Sequence, residues 1–257
     1  MANRTDRLGD ALGEERDAIA IHPGDAEDTG PAGYGLGFYQ GGEVLHKKRP
    51  LLESVELDWG QVARDVRTDC AVFHLRRGTV GSFRIQNTHP FRMRSWLFAH
   101  NGTVDKFDAI QPRILEQIPD FIQRNIRGET DSEHLFHLIL SFLHDAGQLD
   151  LPDVDEGLVL TSIRSAVHMM DRLSQEVNAP PPTLNCLLTN GRHMFAVRRG
   201  QPMVLVERRD PEGDPSLAFR YVMIVGGVET PPAGYRIVEN HCVAIVDRNL
   251  NVTFQPL

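Results

Sequence analysis

Residues 95–104 read Ser-Trp-Leu-Phe-Ala-His-Asn-Gly-Thr-Val, and how this stretch is read decides the fold. Residues 95–100 form a run that fits a buried strand leading straight into polar residues. Asparagine then glycine at such a strand end sets a side-chain amide beside a flexible backbone N–H. That is the equipment of an oxyanion hole, so Asn101 and Gly102 become candidate site residues, although an Asn-Gly hairpin turn is the plainer alternative. A second strand, residues 69–75, also ends in polar groups, His74-Leu-Arg-Arg-Gly-Thr-Val-Gly81. Arg76 there suits a carboxylate held by two parallel hydrogen bonds. Downstream, Gly128-Glu-Thr-Asp-Ser-Glu133 opens a helix at Thr130 and offers Asp131 to an ammonium group, while the same residues also read as ordinary helix capping. An arginine and an aspartate so placed would grip an amino acid by both ends.

Outward from this centre, residues 8–19 fit a short surface helix followed by a loop, and residues 33–39 and 43–48 alternate around Gln40-Gly41-Gly42 as a β-hairpin. Gly33-x-Gly35-x-Gly37 superficially suggests a phosphate loop. No helix pattern opens after it, so its glycines are expected to allow close backbone approach within a strand. From residue 105 the spacing turns helical, with Ile110, Ile114, Leu115 and Ile118 on one face before Pro119. Leu135, Leu138, Ile139, Phe142 and Leu143 make a full stripe on the helix that starts at Thr130 and ends near Gly147. A third helix covers residues 156–177. After the prolines at 180–182 the tail is β-rich, with strands at 183–189, 193–198, 203–207, 218–225, 242–247 and 252–254. Strands, then helices, then strands predict an α+β protein. His134 and His137 lie one turn apart with His144 two turns further on. A metal site is one reading of them, and an exposed histidine stripe opposite the apolar face is the plainer one.

With 257 residues the chain can form one full core, read as a single domain over 1–257. Lysine plus arginine number 27 against 35 acids, a formal charge of −8 that argues against nucleic acid and anionic membranes and for a small-molecule ligand. Cys70, Cys186 and Cys242 sit in apolar runs without metal-type spacing, as expected of buried thiols in a reducing compartment. No signal-peptide core and no membrane span is apparent, so the expected location is cytoplasmic.

Taken together, HLRRGTVGS (74–82), NTHPF (87–91), WLFAHNGTV (96–104) and GETDSEHLF (128–136) resemble, in order and spacing, the class II glutamine amidotransferases of the N-terminal-nucleophile hydrolase superfamily. The compact stand-alone branch, with its γ-glutamyl amidases, is the most similar; Gly33-Tyr-Gly-Leu-Gly-Phe-Tyr39 resembles its DGWGIGFY segment. The resemblance implies an αββα sandwich of two antiparallel sheets between helical layers. It also implies that Arg76 holds the substrate α-carboxylate with Thr79 beside it, that Asn101 and the Gly102 N–H form the oxyanion hole, and that Asp131 holds the α-amino group. No cofactor is implied. The substrate would be glutamine or a γ-glutamyl amide, with a separate ammonia-accepting protein as a conceivable partner. The family's nucleophile is an N-terminal cysteine, whereas residue 2 here is alanine and none of the three cysteines matches its motif. The expectation is therefore amide hydrolysis if a cysteine precedes this chain; the competing expectation is a catalytically silent ligand-binding or scaffold module, and a metallohydrolase using the histidines is a third class.

Overall fold

The computed structural model describes residues 1–19, 33–50, 59–76, 84–210 and 218–257. A two-residue strand β1 (Asp6–Arg7) leads into helices α1 (Leu8–Glu14) and α2 (Arg16–Ile19). The hairpin β2 (Gly33–Gln40) and β3 (Glu43–Pro50) follows, then α3 (Trp59–Ala63), β4 (Arg67–Thr68) and β5 (Ala71–Arg76). Strands β6 (Phe91–Met93) and β7 (Trp96–Thr103) precede helices α4 (Phe107–Leu115), α5 (Asp120–Gln123), α6 (Asp131–Asp145) and α7 (Glu156–Glu176). The remainder is β8 (Thr183–Thr189), β9 (Met194–Arg198), β10 (Met203–Arg209), β11 (Arg220–Gly226), β12 (Arg236–Ile237), β13 (Cys242–Val246) and β14 (Val252–Pro256).

Six strands form one antiparallel sheet in the order β14-β13-β9-β8-β7-β6. Its inner strands are apolar on both faces, and because side chains alternate, both faces must be covered there. Phe195, Val197, Val243 and Ile245 point to a core shared with Ile110 of α4, Leu138 of α6 and Ile163 of α7. Their neighbours Met194, Ala196, Ala244 and Val246 point the other way, onto Met203 and Leu205 of β10 and Val222 of β11. Beside them Leu97 and Ala99 of β7 meet Val44 of β3 and Val72 of β5. The second layer therefore holds two three-stranded sheets, β3-β2-β5 and β11-β10-β12. Leu36 and Phe38 of β2 turn outward onto Leu12 of α1 and Ala63 of α3. Helix, sheet, sheet and helix stack in that order, the αββα arrangement expected from the family resemblance.

The hairpin forms at its predicted place, with Gln40 opposite Glu43 and both Gly41 and Gly42 at positive φ, 61° and 82°. The glycines of β2 behave as expected. A Cβ on Gly35 would lie 1.7 Å from the His89 carbonyl oxygen and one on Gly37 2.9 Å from Leu97 Cδ1, so side-chain-free positions let the two sheets close up. The expected helix over 8–19 is broken at Glu15, whose carboxylate turns inward to Arg208, Tyr221 and Tyr235. The loop expected after it lies outside the described residues. Strands β6 and β12 and helix α5 are too short to leave a periodic signal.

Two expectations are corrected. His134 and His137 are not an exposed stripe; they are 2% and 1% accessible because α6 is enclosed by neighbours on nearly every side. Each donates Nδ1–H to the carbonyl four residues back, Thr130 and Glu133, at 2.8 Å. Gln111 closes on His134 Nε2 at 3.0 Å, and His144 alone of the three is exposed. Among the described residues, no three His, Cys, Asp or Glu side chains converge as metal ligands. Cys70 and Cys186 are buried as expected, but Cys242 is partly exposed at the start of β13. No helix among the described residues is long and apolar enough to cross a membrane.

Candidate functional site

Strand β7 does not stop at His100. It continues through the polar residues, pairing Asn101 with Asn185, Gly102 with Leu184 and Thr103 with Thr183, so Asn101-Gly102 lies within a strand and is not a turn. Local crowding explains the glycine. A Cβ at 102 would sit 2.0 Å from the Thr183 carbonyl oxygen and 2.5 Å from His100 Nε2. Beyond it, the Val104 N–H donates to Oδ2 of Asp131 at 2.9 Å, which fixes the first residue of α6 against the end of β7.

The segment before α6 is held residue by residue. Thr130 caps the helix, accepting from the Glu133 N–H at 3.3 Å. Glu133 reaches back to accept from the N–H groups of Arg127 (3.0 Å) and Gly128 (2.6 Å). Burial raises the Glu133 carboxyl above its ordinary value, while those two N–H groups and Lys48 oppose the rise. Asn87 clamps the neighbouring residue, accepting from the Glu129 N–H at 3.0 Å. Gly128 has no room for a side chain, since its Cβ would meet Asn87 Oδ1 at 2.3 Å. Asp131 is thereby immobilised, 5% accessible, with the Ser132 N–H at 2.7 Å from Oδ1.

His100 and Ser132 tie these parts together. His100 Nδ1 lies 2.9 Å from Ser132 Oγ, and its Nε2 lies 3.1 Å from the Thr183 carbonyl oxygen. His74 Nε2 in turn donates to the His100 carbonyl at 3.1 Å, linking β5 to β7. Neither His100 nor Ser132 stands out in the sequence as a site residue; their only signal is adjacency to Asn101 and Asp131.

Asn101, Gly102 and Asp131 all line one cleft of about 1220 Å3 between the sheets, with His74, His100 and Ser132. The structure thus brings together three of the five candidate residues. Arg76 ends β5 with its backbone opposite Gly33, but its side chain, like all of Thr79, lies outside what is described. An amide, a backbone N–H and a fixed carboxylate on one wall are suited to an amide carbonyl and an ammonium on the same molecule.

Cys70 also lines this cleft. It is 1% accessible, its Sγ lies 3.5 Å from Thr189 Oγ1, and burial pushes its thiol up, the opposite of an activated nucleophile. Cys186 is pushed up to about 12 by burial. A different feature borders the same space. Met1 and Val222 exchange backbone hydrogen bonds at 2.8 Å in both directions, and Asn3 N–H donates to the Arg220 carbonyl at 3.0 Å. By antiparallel alternation, Ile224 and Gly226 of β11 also turn N–H and C=O groups to that side. Among the described residues, nothing beyond Met1 pairs with them, and both line the cleft.

The fold is a layered α+β framework shared with solved glutamine amidotransferase-type chains. The chain belongs to the class-II glutamine amidotransferases, whose family model matches residues 20–224. It is 27% identical over 230 residues to a probable glutamine amidotransferase, DUG3, of Saccharomyces cerevisiae, covering 86% of this chain and 61% of that one. The chain therefore spans about three-fifths of that relative's length. Over 75 residues it is 33% identical to the gamma-glutamyl-hercynylcysteine sulfoxide hydrolase of Mycobacterium tuberculosis, covering 29% of this chain and 32% of that one. Among solved structures, a glutamine aminotransferase class-II domain protein from Silicibacter pomeroyi superposes with a TM-score of 0.60 at 20% identity, covering 87% of this chain and 90% of that one.

Proposed function

We propose that this chain is the glutamine-handling domain of an amidohydrolase that releases ammonia or an amine from glutamine or a γ-glutamyl amide. Asn101 and the Gly102 N–H receive the oxyanion, Asp131 the substrate ammonium, and Arg76 with Thr79 the α-carboxylate. The observation that carries this reading is the Val104–Asp131 hydrogen bond, which fixes a carboxylate from 27 residues away against the strand bearing the amide and the glycine. If a cysteine precedes this chain in the natural protein, it supplies the attacking thiolate; the backbone groups of Ile224 and Gly226, beside the cleft, support this reading by offering partners in register along β11. Attack forms the tetrahedral oxyanion, the amine departs with a proton, and water then releases glutamate from the γ-glutamyl thioester.

The test is glutaminase activity of the natural full-length protein, followed as glutamate and ammonia release. The expected result is turnover that alkylation of an N-terminal cysteine abolishes and that Asn101→Ala lowers by roughly 10²-fold or more, the usual effect of one lost oxyanion donor. Absence of turnover with intact glutamine binding would point to the silent binding module. Absence of both would refute the site.

A further inference from the structure

We propose that the Ser132 hydroxyl is a two-position hydrogen-bond rotor, steered by His100, that sets how many acceptor sites Asp131 offers to a substrate ammonium. The proposal rests on reading Asp131 as the ammonium grip, and it follows from counting protons in the chain Thr183–His100–Ser132–Asp131. The Thr183 carbonyl can only accept, so His100 Nε2 at 3.1 Å carries a hydrogen. In the neutral ring Nδ1 is then an acceptor, and the single Ser132 hydroxyl proton at 2.9 Å is drawn to it. Ser132 Oγ also lies 3.2 Å from Asp131 Oδ1, but one proton cannot serve both.

When His100 takes up a second proton, the direction reverses. Nδ1–H now donates to Ser132 Oγ, and the hydroxyl proton turns to Asp131 Oδ1. Oδ1 already accepts the Ser132 N–H at 2.7 Å, and Oδ2 the Val104 N–H at 2.9 Å. With roughly two lone-pair sites per oxygen, the carboxylate keeps two free sites while His100 is neutral and one when it is charged. The added positive charge also opposes a second cation. Protonation of His100 thus weakens the grip twice over, through one lost acceptor and through repulsion.

The surroundings favour the open setting near neutrality. His100 is 3% accessible, and burial holds its imidazolium below the ordinary histidine value, with Asp131 opposing. The groups facing it are Asp131 from α6, His74 from β5 at the His100 carbonyl, and Cys186 opposite it on β8, whose thiol stays neutral. His134 lies a further step along α6, within the field of Asp131. His100 and Ser132 are positioning residues; neither touches the substrate in this scheme.

L-glutamate is the probe, since it carries the same ammonium and α-carboxylate and is not hydrolysed. Its affinity for the full-length protein is measured by calorimetry from pH 8 to pH 5.5, with the His100 tautomer and titration followed by ¹⁵N NMR. The expected result is an Nε2–H tautomer and an affinity that falls by roughly tenfold as His100 charges, the scale of one charge-assisted hydrogen bond. Ser132→Ala removes the acceptor part of that dependence and leaves only the repulsion, so its profile is markedly shallower, and Ser132→Thr, which keeps the hydroxyl, restores the full slope. An unchanged pH profile in Ser132→Ala, or an Nδ1–H tautomer, overturns the rotor while leaving the grip intact. Failure of the wild-type protein to bind L-glutamate at any pH overturns the grip and the rotor's effect with it.

Discussion

Glu15 accepts from both Nε and Nη2 of Arg208, at 2.6 and 3.0 Å, across 193 residues of sequence. The same carboxylate receives the hydroxyls of Tyr221 (2.9 Å) and Tyr235 (2.5 Å) and is 4% accessible. This latch fixes the break between α1 and α2 to the sheet β11-β10-β12, on the side where Met1 and Ala2 line the cleft. Burial alone would raise the Glu15 carboxyl, but the Arg208 and tyrosine hydrogen bonds outweigh it and hold the carboxyl below its ordinary value. Its contribution is therefore present above the usual carboxylate range and is lost as pH falls through the lowered value. Glu15→Ala should cost about 2–3 kcal/mol, less than a fully buried pair because Arg208 is partly exposed. Urea denaturation at pH 7 checks this, and a cost under about half a kcal/mol would make the latch incidental.

Asp131→Asn keeps a nearly identical shape but removes the charge, and its single oxygen can serve only one of the Val104 and Ser132 N–H groups, the amide NH2 facing the other. The fold should survive at a cost of about 1–3 kcal/mol, while L-glutamate or glutamine affinity falls by roughly ten- to a hundredfold. Calorimetry on the folded variant reads the second effect separately from the first. Retained affinity would remove Asp131 from the site.

Two glycines give a paired contrast. Gly102→Ala drives a methyl into the Thr183 carbonyl and the His100 ring, so β7 must separate from β8; a loss of about 2 kcal/mol or more is expected, together with loss of amide turnover. Gly13→Ala in α1 meets nothing within 4 Å and should stabilise by about 0.5–1 kcal/mol, because alanine loses less backbone entropy in a helix. Thermal melts of both variants suffice, and equal melting temperatures would show that the crowding at residue 102 is relieved cheaply.

Individual elements were legible wherever period and punctuation agree: the β2–β3 hairpin, the α6 stripe, and β8 through β14 apart from the two-residue β12; their layering followed from the family resemblance. What the sequence hid depends on contacts between distant segments. The helix break at Glu15 follows from Arg208 and two tyrosines on the other side of the chain, and no local propensity encodes it. The histidines of α6 misled because helical spacing specifies a face, not whether a further layer covers that face; here α4, α7 and β7 together enclose nearly the whole helix. At the site, Asn101, Gly102 and Asp131 were singled out from residue chemistry, because polar groups next to a buried strand or at a helix start attract notice, and all three line one cleft. His100 and Ser132 were not, since their importance lies in a 2.9 Å contact between residues 32 apart.

The buried histidines also set the acid limit of the fold. Burial lowers His100, His134 and His137 below the ordinary histidine value, His137 to about 4. A group with a lowered folded value binds its proton first in the unfolded chain, so stability is constant above the unfolded value and declines as pH drops below it. For His137 that window runs from 6.5 down to about 4, a loss on the order of 3 kcal/mol by the low end. With three such residues, denaturation midpoints measured at pH 7.5, 6.5, 5.5 and 5.0 should hold steady over the first step and then fall increasingly steeply. His137→Asn keeps a donor near Nδ1 for the Glu133 carbonyl but takes up no proton. Its acid limb should be shallower by about one proton per molecule unfolded, roughly 1.4 kcal/mol per pH unit, even though its stability at pH 7.5 is lower than that of the parent. An acid limb as steep as the parent's would mean that His137 is not the neutral, buried group its surroundings indicate.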